Sequence, residues 1–308
     1  MIDKDQLHTW RTRITQQAQA AYKRANKLSG GVLGIIRDAI DGFTQAKGSE
    51  AAASMAYYTL FSLFPLLLAL VAAGSFLLDR QQVFQEVVDL VSNAFPISQN
   101  LIEENLRQVL RLRGAVGLIG LIVAIWSASG VFAILTRNIN RAWTDAEPRG
   151  FLGSRLVALG MVASLAVLLV ISLLLSTALN VLAGSQIALV NLQSLYGTAI
   201  WTALSDVIPW LFIFFLFLAL YRWVPNEEVP WRAALTAALV VTLAWEVAAN
   251  AFAWYVSSGL AAYQIVYGSL GTVVALMFWI YLSSWIILFG AHLGAAVTRH
   301  AKQNQPQD

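Results

Sequence analysis

The sequence predicts an all-α integral membrane protein with six transmembrane helices, N-terminal amphipathic helices and a helical extracytoplasmic loop. Hydrophobic residues make up 58% of the 308 positions and charged residues only 12%, about half the charged share of an ordinary soluble domain. The apolar residues form runs long enough to cross a bilayer, which needs roughly 20 residues at a rise of about 1.5 Å each. Lys and Arg residues are concentrated in every second link between these runs, which places most of them on one side of the membrane, as the positive-inside rule requires.

The first unit of the chain, residues 1–50, is predicted to be a basic cytoplasmic arm. Leu7, Trp10 and Ile14 recur at three- and four-residue steps among basic residues, which is typical of an amphipathic helix. Such a helix is expected to lie on an anionic leaflet, so membrane lipids are the expected partners of the arm. A second, shorter amphipathic helix is predicted over residues 32–43. A solvated helix packed on the transmembrane bundle is the alternative.

The second unit, residues 51–298, is interpreted as the transmembrane domain. Its apolar segments cover residues 51–78, 115–136, 156–183, 206–223, 231–256 and 268–297. The flanks on one side of these segments hold 16 Lys and Arg residues and those on the other side hold four. Both ends of the chain, including the tail 299–308, are therefore expected in the cytoplasm. The largest outer connection, residues 79–114, combines acidic residues with helically spaced apolar ones and is interpreted as one or two amphipathic helices.

Two prolines lie within the apolar segments. Pro65 is midway along the first segment, where the missing backbone N–H predicts a helix kink. Pro209 takes a loosely similar place in the fourth segment, which raises the hypothesis of the inverted repeats found in transporters. The favoured alternative is that Ser205 or Asp206 caps the fourth helix and Pro209 lies in its first turn.

Small residues indicate where helices approach one another closely. The run Trp126 to Gly130 in the second segment places Ser, Ala and Gly together, which favours close packing or exposes backbone to a cavity. Gly290 and Gly294 form a GxxxG step in the last segment, which is interpreted as intramolecular packing. His292, between them, is expected to snorkel or face lipid near the inner interface, with a functional role as the alternative.

The candidate functional residues are polar side chains inside the apolar segments. Glu246 in the fifth segment is the first of them, because a carboxylate at bilayer depth costs on the order of 3 kcal/mol. Thr242 and Asn250 lie one turn to either side, so the three share a face that is predicted to point into the bundle. The predicted polar path, bounded by the first, fifth and sixth helices, comprises Glu246, Asn250, Thr242, Tyr281, Ser284 and Asn180.

Two roles remain open for Glu246. The segments contain no Lys or Arg that would neutralise it, so the carboxyl group either holds a proton or is ionised in a hydrated cavity. A neutral glutamic acid that hydrogen-bonds a neighbouring helix would be structural. An acid that lines a passage would serve proton or solute transfer.

The sequence shows no motif typical of a catalytic site. Cysteine is absent and there are only three histidines. The sequence contains no GxSxG, GxxxxGK or HExxH motif, so no catalytic, cofactor-binding or metal-ligating set is expected. The net charge of +3 is accounted for by the arm and the flanks, so nucleic acid is not an expected partner.

Five stretches are spread along nearly the whole membrane domain: AYYTLFSLFPLLLAL (56–70), WSASGVFAILTRNINRAW (126–143), YRWVPNEEVPWRAAL (221–235), AWE (244–246) and YGSLGTVVALMFWIYLSSWIILFGAHL (267–293). Together they resemble the YihY/BrkB family of bacterial six-helix inner-membrane proteins. The resemblance implies a location in the bacterial inner membrane. This sequence departs from the family pattern at His292, where members commonly have Glu. Some members were formerly labelled ribonuclease BN, but this sequence lacks the metal carboxylates or positioned base that RNA hydrolysis needs.

Other members of that family are described as serum-resistance factors or as transporters linked to envelope lipids. The function predicted here is transport of a solute or envelope lipid across the inner membrane. The alternatives are a scaffold that supports envelope integrity and, less favoured, a membrane-embedded lipid-modifying enzyme. The sequence specifies neither the substrate, nor a coupling ion, nor the oligomeric state.

Overall fold

The computed structural model consists of α-helices and turns, with no strand, in the residues that it describes. Those residues are 26, 28–74, 81, 84, 85, 88, 117–143, 150, 152–164, 166, 167, 170, 199–258 and 271–303. The first predicted arm helix, most of the outer loop 79–114 and the part of the third segment that holds Asn180 lie outside them. The helices are α1 (Val32–Gln45), α2 (Gly48–Gly74), α3 (Gly117–Asn140), α4 (Leu152–Ser164), α5 (Ala199–Trp223), α6 (Trp231–Ser257) and α7 (Gly271–Gln303).

These helices coincide with the apolar runs of the sequence. Helices α2, α3, α5, α6 and α7 fall on five predicted segments, and α4 falls on the start of the third. Among the described residues, two helices are long and apolar enough to cross a membrane, namely α6 and the Val273–Gln303 part of α7. The all-helical prediction is therefore confirmed, while the six-span topology stays a prediction.

Helix α7 is the centre of the bundle. It packs against α1, α2 and α6 and touches α3. Every residue from Ala291 to Ala296 is buried. At about 1.5 Å per residue its 33 residues extend roughly 50 Å, more than the roughly 30 Å of a hydrocarbon core. One end of α7 therefore continues beyond the core.

The GxxxG step brings α7 close to its neighbours. A Cβ at Gly290 would collide with Val241 of α6 and the Tyr221 ring of α5, and one at Gly294 would lie 3.4 Å from the Ala237 Cβ. The Tyr221 hydroxyl donates a hydrogen bond of 2.8 Å to the Ile287 carbonyl on α7. The facing side of α6 is a row of buried alanines, Ala233, Ala234, Ala237 and Ala238. Both glycines thus serve packing within the chain.

The two prolines lie inside continuous helices. Helix α2 continues through Pro65, and the predicted kink there stays a prediction. The favoured interpretation of Pro209 is wrong, because α5 begins at Ala199 and already contains Ser205 and Asp206. Apolar residues before Asp206 extend the helical pattern upstream, so one carboxylate does not end the helix.

Candidate functional site

The predicted polar face of α6 is split between two environments. Thr242 is buried and donates to the Ala238 carbonyl at 2.7 Å. Glu246 and Asn250 are exposed. The prediction that this face points into the bundle is therefore wrong for Glu246 and Asn250. Each step of four residues turns about 40° further around a helix, which carries the second and third positions past the edge of the packed side.

Glu246 and Asn250 form a hydrogen-bonded pair on the exposed side of α6. The Asn250 amide donates to the Glu246 carboxylate at 3.0 Å and to the Glu246 carbonyl at 2.8 Å. Glu246 lies about 22 Å along the helix from Trp231 and about 16 Å from Ser257, which is well inside a span. The exposed apolar side chains of the same helix include Leu239, Leu243, Val247 and Trp254.

This pair can bind groups that donate hydrogen bonds or carry positive charge. An ionised carboxylate accepts at two oxygens, and the neighbouring Asn250 adds its amide oxygen as an acceptor, because its two N–H groups donate to Glu246. A proton, a cation, an ammonium group or a hydroxyl group would all fit that chemistry. The pair is thus a polar site within an apolar helix surface.

The predicted residues of α7 are in the packed interior. Ser284 is buried, and Tyr281 is partly buried against the main hydrophobic core. Glu246 and Asn250 instead lie on an exposed face. Asn180 is outside the described residues. The described members of the predicted path therefore lie in two environments, and Thr242 shares the interior one with Tyr281 and Ser284.

Sequence reasoning missed a charged site at Arg155 of α4. The Arg155 Nη1 atom donates to the Ser129 Oγ at 2.6 Å and to the Trp126 carbonyl at 3.2 Å. Its guanidinium carbon lies 4.6 Å from the centroid of the Trp126 ring, a cation–π arrangement. In the sequence Arg155 counted only as a flanking charge, but in the structure it contacts the middle of α3.

Small residues make this contact possible and also bring in α2. A Cβ at Gly130 would lie 3.5 Å from the Ser62 Oγ of α2. The fully buried Ser129 donates to the Trp126 carbonyl at 2.7 Å. The run thus packs closely, and its Trp126 carbonyl accepts hydrogen bonds from Ser129 and Arg155, while exposure of its backbone to a cavity stays a prediction. We call Ser62, Ser129 and Arg155 the arginine cluster.

The end of α7 is tied to its surroundings by polar contacts. His292 is only 4% exposed, and its ring lies edge-on to Phe43 with centroids 5.8 Å apart. The expectation that His292 faces lipid is therefore wrong, because α1 covers it. Two polar contacts follow further along the helix, a hydrogen bond between His300 and Asp38 at 2.9 Å and an ion pair between Lys302 and Glu227 at 2.8 Å.

The part of the chain that the structure describes contains no group of three or more His, Asp or Glu residues that could hold a metal ion. The polar sites found there include the Glu246–Asn250 pair, the arginine cluster and the polar contacts at the end of α7.

Apolar helices of membrane length, with polar groups placed along them, define a helical membrane protein. The family described as Virulence factor BrkB matches residues 39–308. The chain belongs to this family. The match includes the part of α1 from Ala39 onward, the whole of α7, the Glu246–Asn250 pair and the arginine cluster.

The chain is similar to several bacterial proteins. It is 27% identical to the ribonuclease-like protein YfkH of Bacillus subtilis strain 168, over 88% of this chain and 97% of YfkH. It is 29% identical to a UPF0761 membrane protein of Chromohalobacter salexigens, over 86% of this chain and 63% of that protein. A UPF0761 membrane protein of Vibrio atlanticus is 26% identical over 94% of this chain and 90% of its own length. No solved structure matches the chain.

Proposed function

We propose that the protein is a multi-pass transporter of the bacterial inner membrane that moves a solute or an envelope lipid, with both termini in the cytoplasm. The observation that carries the proposal is the Glu246–Asn250 pair, exposed on α6 and well inside a membrane-length helix. A carboxylate at that depth is costly against hydrocarbon. It is stabilised when it faces water or a polar group that passes along the helix.

The position of the pair favours a path along the outer side of α6. Tyr281 is partly buried against the main core and Ser284 is buried, so a substrate would have to open a packed helix interface to reach Ser284. Glu246 and Asn250 can be reached without opening that interface. A lipid headgroup with an ammonium or hydroxyl group, or a solute with the same groups, fits this arrangement.

The arginine cluster supports a role for charge within the membrane domain. Arg155 is held against the middle of α3 by a hydroxyl, a carbonyl and a ring. Ionisable side chains within membrane segments are rare and commonly belong to substrate or proton pathways. Two such groups of opposite sign, Arg155 and Glu246, lie on different helices of this chain.

The alternative is a scaffold that supports the envelope without transport. The dry contact between α6 and α7 favours it, because Trp279 packs against Trp245 and Phe252 with ring centroids 5.4 and 5.2 Å away. A lipid-modifying enzyme is less favoured. The name of YfkH applies to that protein, and we do not propose a ribonuclease activity for this chain.

Native mass spectrometry of the protein purified in mild detergent tests the proposal. Wild-type protein is expected to retain a lipid or solute that Glu246→Gln loses, because the amide removes the charge while keeping the shape. Glu228→Gln, at an exposed position in the link before α6, is the matched control and should retain it. Identical spectra for wild type and Glu246→Gln would contradict the proposal.

We also propose that residues 1–30 bind anionic lipids as a surface helix, because Trp10 and Ile14 share an apolar face opposite basic side chains. A peptide of these residues should become helical on anionic vesicles at low salt and dissociate as salt rises. A peptide that stays unstructured on such vesicles would refute this partner.

A further inference from the structure

Helix α1 has an exposed apolar side that the bundle does not cover. Val32, Leu33, Ile36 and Ile40 are 51, 39, 41 and 49% exposed. At about 100° per residue they occupy one continuous quarter of the helix surface. We call these four side chains the α1 stripe.

A second side of α1 is packed on α7. Ala39 is fully buried and clusters with Leu293 and Ala296. Phe43 is buried, and its ring centroid lies 4.9 Å from that of Trp285. This side also contains Asp38, whose carboxylate pairs with His300 at 2.9 Å.

The third side of α1 is polar and exposed. Arg37 and Asp41 are 63 and 55% exposed and lie 3.6 Å apart, and Gln45 follows on the same side. The α1 stripe therefore lies between the packed side and the polar side. Protein, apolar medium and water would each meet one side, which is the arrangement of a helix at a membrane interface.

The depth of α1 agrees with that arrangement. The turn of α7 that contacts Ala39 also contains Gly294, where a Cβ would lie 3.8 Å from the Ala233 carbonyl near the start of α6. Trp231 begins that helix and is 53% exposed, and Trp223 at the end of α5 is 66% exposed. Exposed tryptophans at helix ends mark the headgroup level of a bilayer. The middle of α1, around Ala39, is thus level with these interfacial anchors, because α1 runs along α7 from Trp285 beside Phe43 to His300 beside Asp38.

Short-range geometry fixes the direction of α1. Only Ala46 and Lys47 join it to α2, and Lys47 has a φ of 54°. A Cβ at Gly48 would collide with the Phe43 ring. The glycine therefore allows this ring to pack against the start of α2. Helix α1 cannot rotate about its axis, and so cannot reorient the α1 stripe, without breaking these contacts.

We propose that the α1 stripe is buried in the headgroup–acyl boundary of the membrane leaflet beside α7, so that α1 is an interfacial anchor joined rigidly to the end of α7. The occupant of this surface is the lipid bilayer. Its apolar chemistry matches the stripe, and the exposed Trp231 marks the headgroup level near Ala39. The anchor depends on apolar burial and is therefore distinct from the electrostatic binding proposed for residues 1–30. It holds whether or not the protein is a transporter.

The absence of cysteine from the sequence allows a direct test with single-cysteine variants of the full chain. Ile36→Cys and Ile40→Cys place an environment-sensitive NBD label on the α1 stripe, and Gln45→Cys places it on the polar side as the matched control. Each variant is studied in phosphatidylcholine nanodiscs that contain one protein copy. The quenchers are lipids with doxyl groups near the headgroup and aqueous iodide.

Labels at positions 36 and 40 should show blue-shifted emission, strong quenching by the doxyl lipids and at least fivefold weaker quenching by iodide than the label at 45. High salt should leave this pattern unchanged. Equal iodide quenching at 36, 40 and 45 would overturn the proposal by showing the stripe in water. Protection at 36 and 40 from both quenchers would also overturn it, because another part of the chain or a partner protein would then cover the stripe.

Discussion

The inward and outward faces of α6 are built from different residues and meet different surroundings. The inward face presents small and aromatic side chains, among them Ala237 and Trp245, and packs tightly on α5 and α7. The outward face presents Leu239, Leu243 and Val247 together with Glu246. One helix thus combines a dry interface with an exposed face that contains a carboxylate. Under the proposed function, the first face stabilises the bundle and the second face serves transport.

Aromatic truncation on the two faces should give the largest difference in stability. Trp279 of α7, which packs on the inward face, is 1% exposed, whereas Trp254 on the outward face is 63% exposed. Trp279→Ala should lower the free energy of unfolding by about 3 to 5 kcal/mol by leaving a cavity. Trp254→Ala should change it by less than about 0.5 kcal/mol. Denaturation of the purified variants in detergent measures both, and equal losses would break the comparison.

Added volume sharpens the same contrast. Gly290→Val should cost about 3 kcal/mol, because the new side chain collides with Val241 and Tyr221. Gly160→Val in α4 is the control, because a Cβ there meets nothing within 4 Å, and only helix propensity should change. Thermal unfolding of the two variants side by side is the measurement. A Gly290→Val protein as stable as the control would mean that α6 and α7 are further apart than described.

The arginine cluster extends the comparison to a polar contact between helices. Arg155→Gln should cost about 2 kcal/mol, because Ser129 and the Trp126 carbonyl lose charge-assisted hydrogen bonds. Arg155→Lys should restore only part of this, since an ammonium lacks the planar fork. Arg232→Gln removes an exposed charge at the start of α6 and is the control. Thermal stability that does not differ between Arg155→Gln and Arg232→Gln would contradict a packed role for Arg155.

The sequence predicts helices well where apolar runs are long, and less well where a boundary or a rotation decides the outcome. Helices α6 and α7 follow from their apolar composition, and the small side chains at Gly290 and Gly294 predict close packing. Ser205 and Asp206 predict a start of α5 at that point, whereas the helix begins at Ala199. In each case the composition is clear, and the exact end of the helix depends on contacts with other segments.

The orientation of single side chains was harder to predict. Glu246 shares a stripe with Thr242, but about 40° of rotation separates a buried hydroxyl from an exposed carboxylate. The contact between Arg155 and α3 joins residues far apart in sequence. Counting charges along the chain shows that Arg155 flanks an apolar segment, but it does not show that Arg155 binds Ser129 and the Trp126 carbonyl. The burial of His292 depends on the packing of α1 against α7. The periodicity of residues 32–43 is compatible with a surface helix or with a packed helix, so it does not predict this burial.

The most direct test of the central claim compares Glu246→Gln with wild type for stability and function together. Because Glu246 is exposed and bonded only locally to Asn250 within the described residues, the Gln variant should unfold within about 0.5 kcal/mol of wild type. If the carboxylate lines a passage, the same variant should fail to complement a deletion strain in an envelope-integrity assay, while Glu228→Gln complements fully. Loss of function with unchanged stability is the result that we predict. A stable and fully active Glu246→Gln protein would contradict the claim that this residue serves transport.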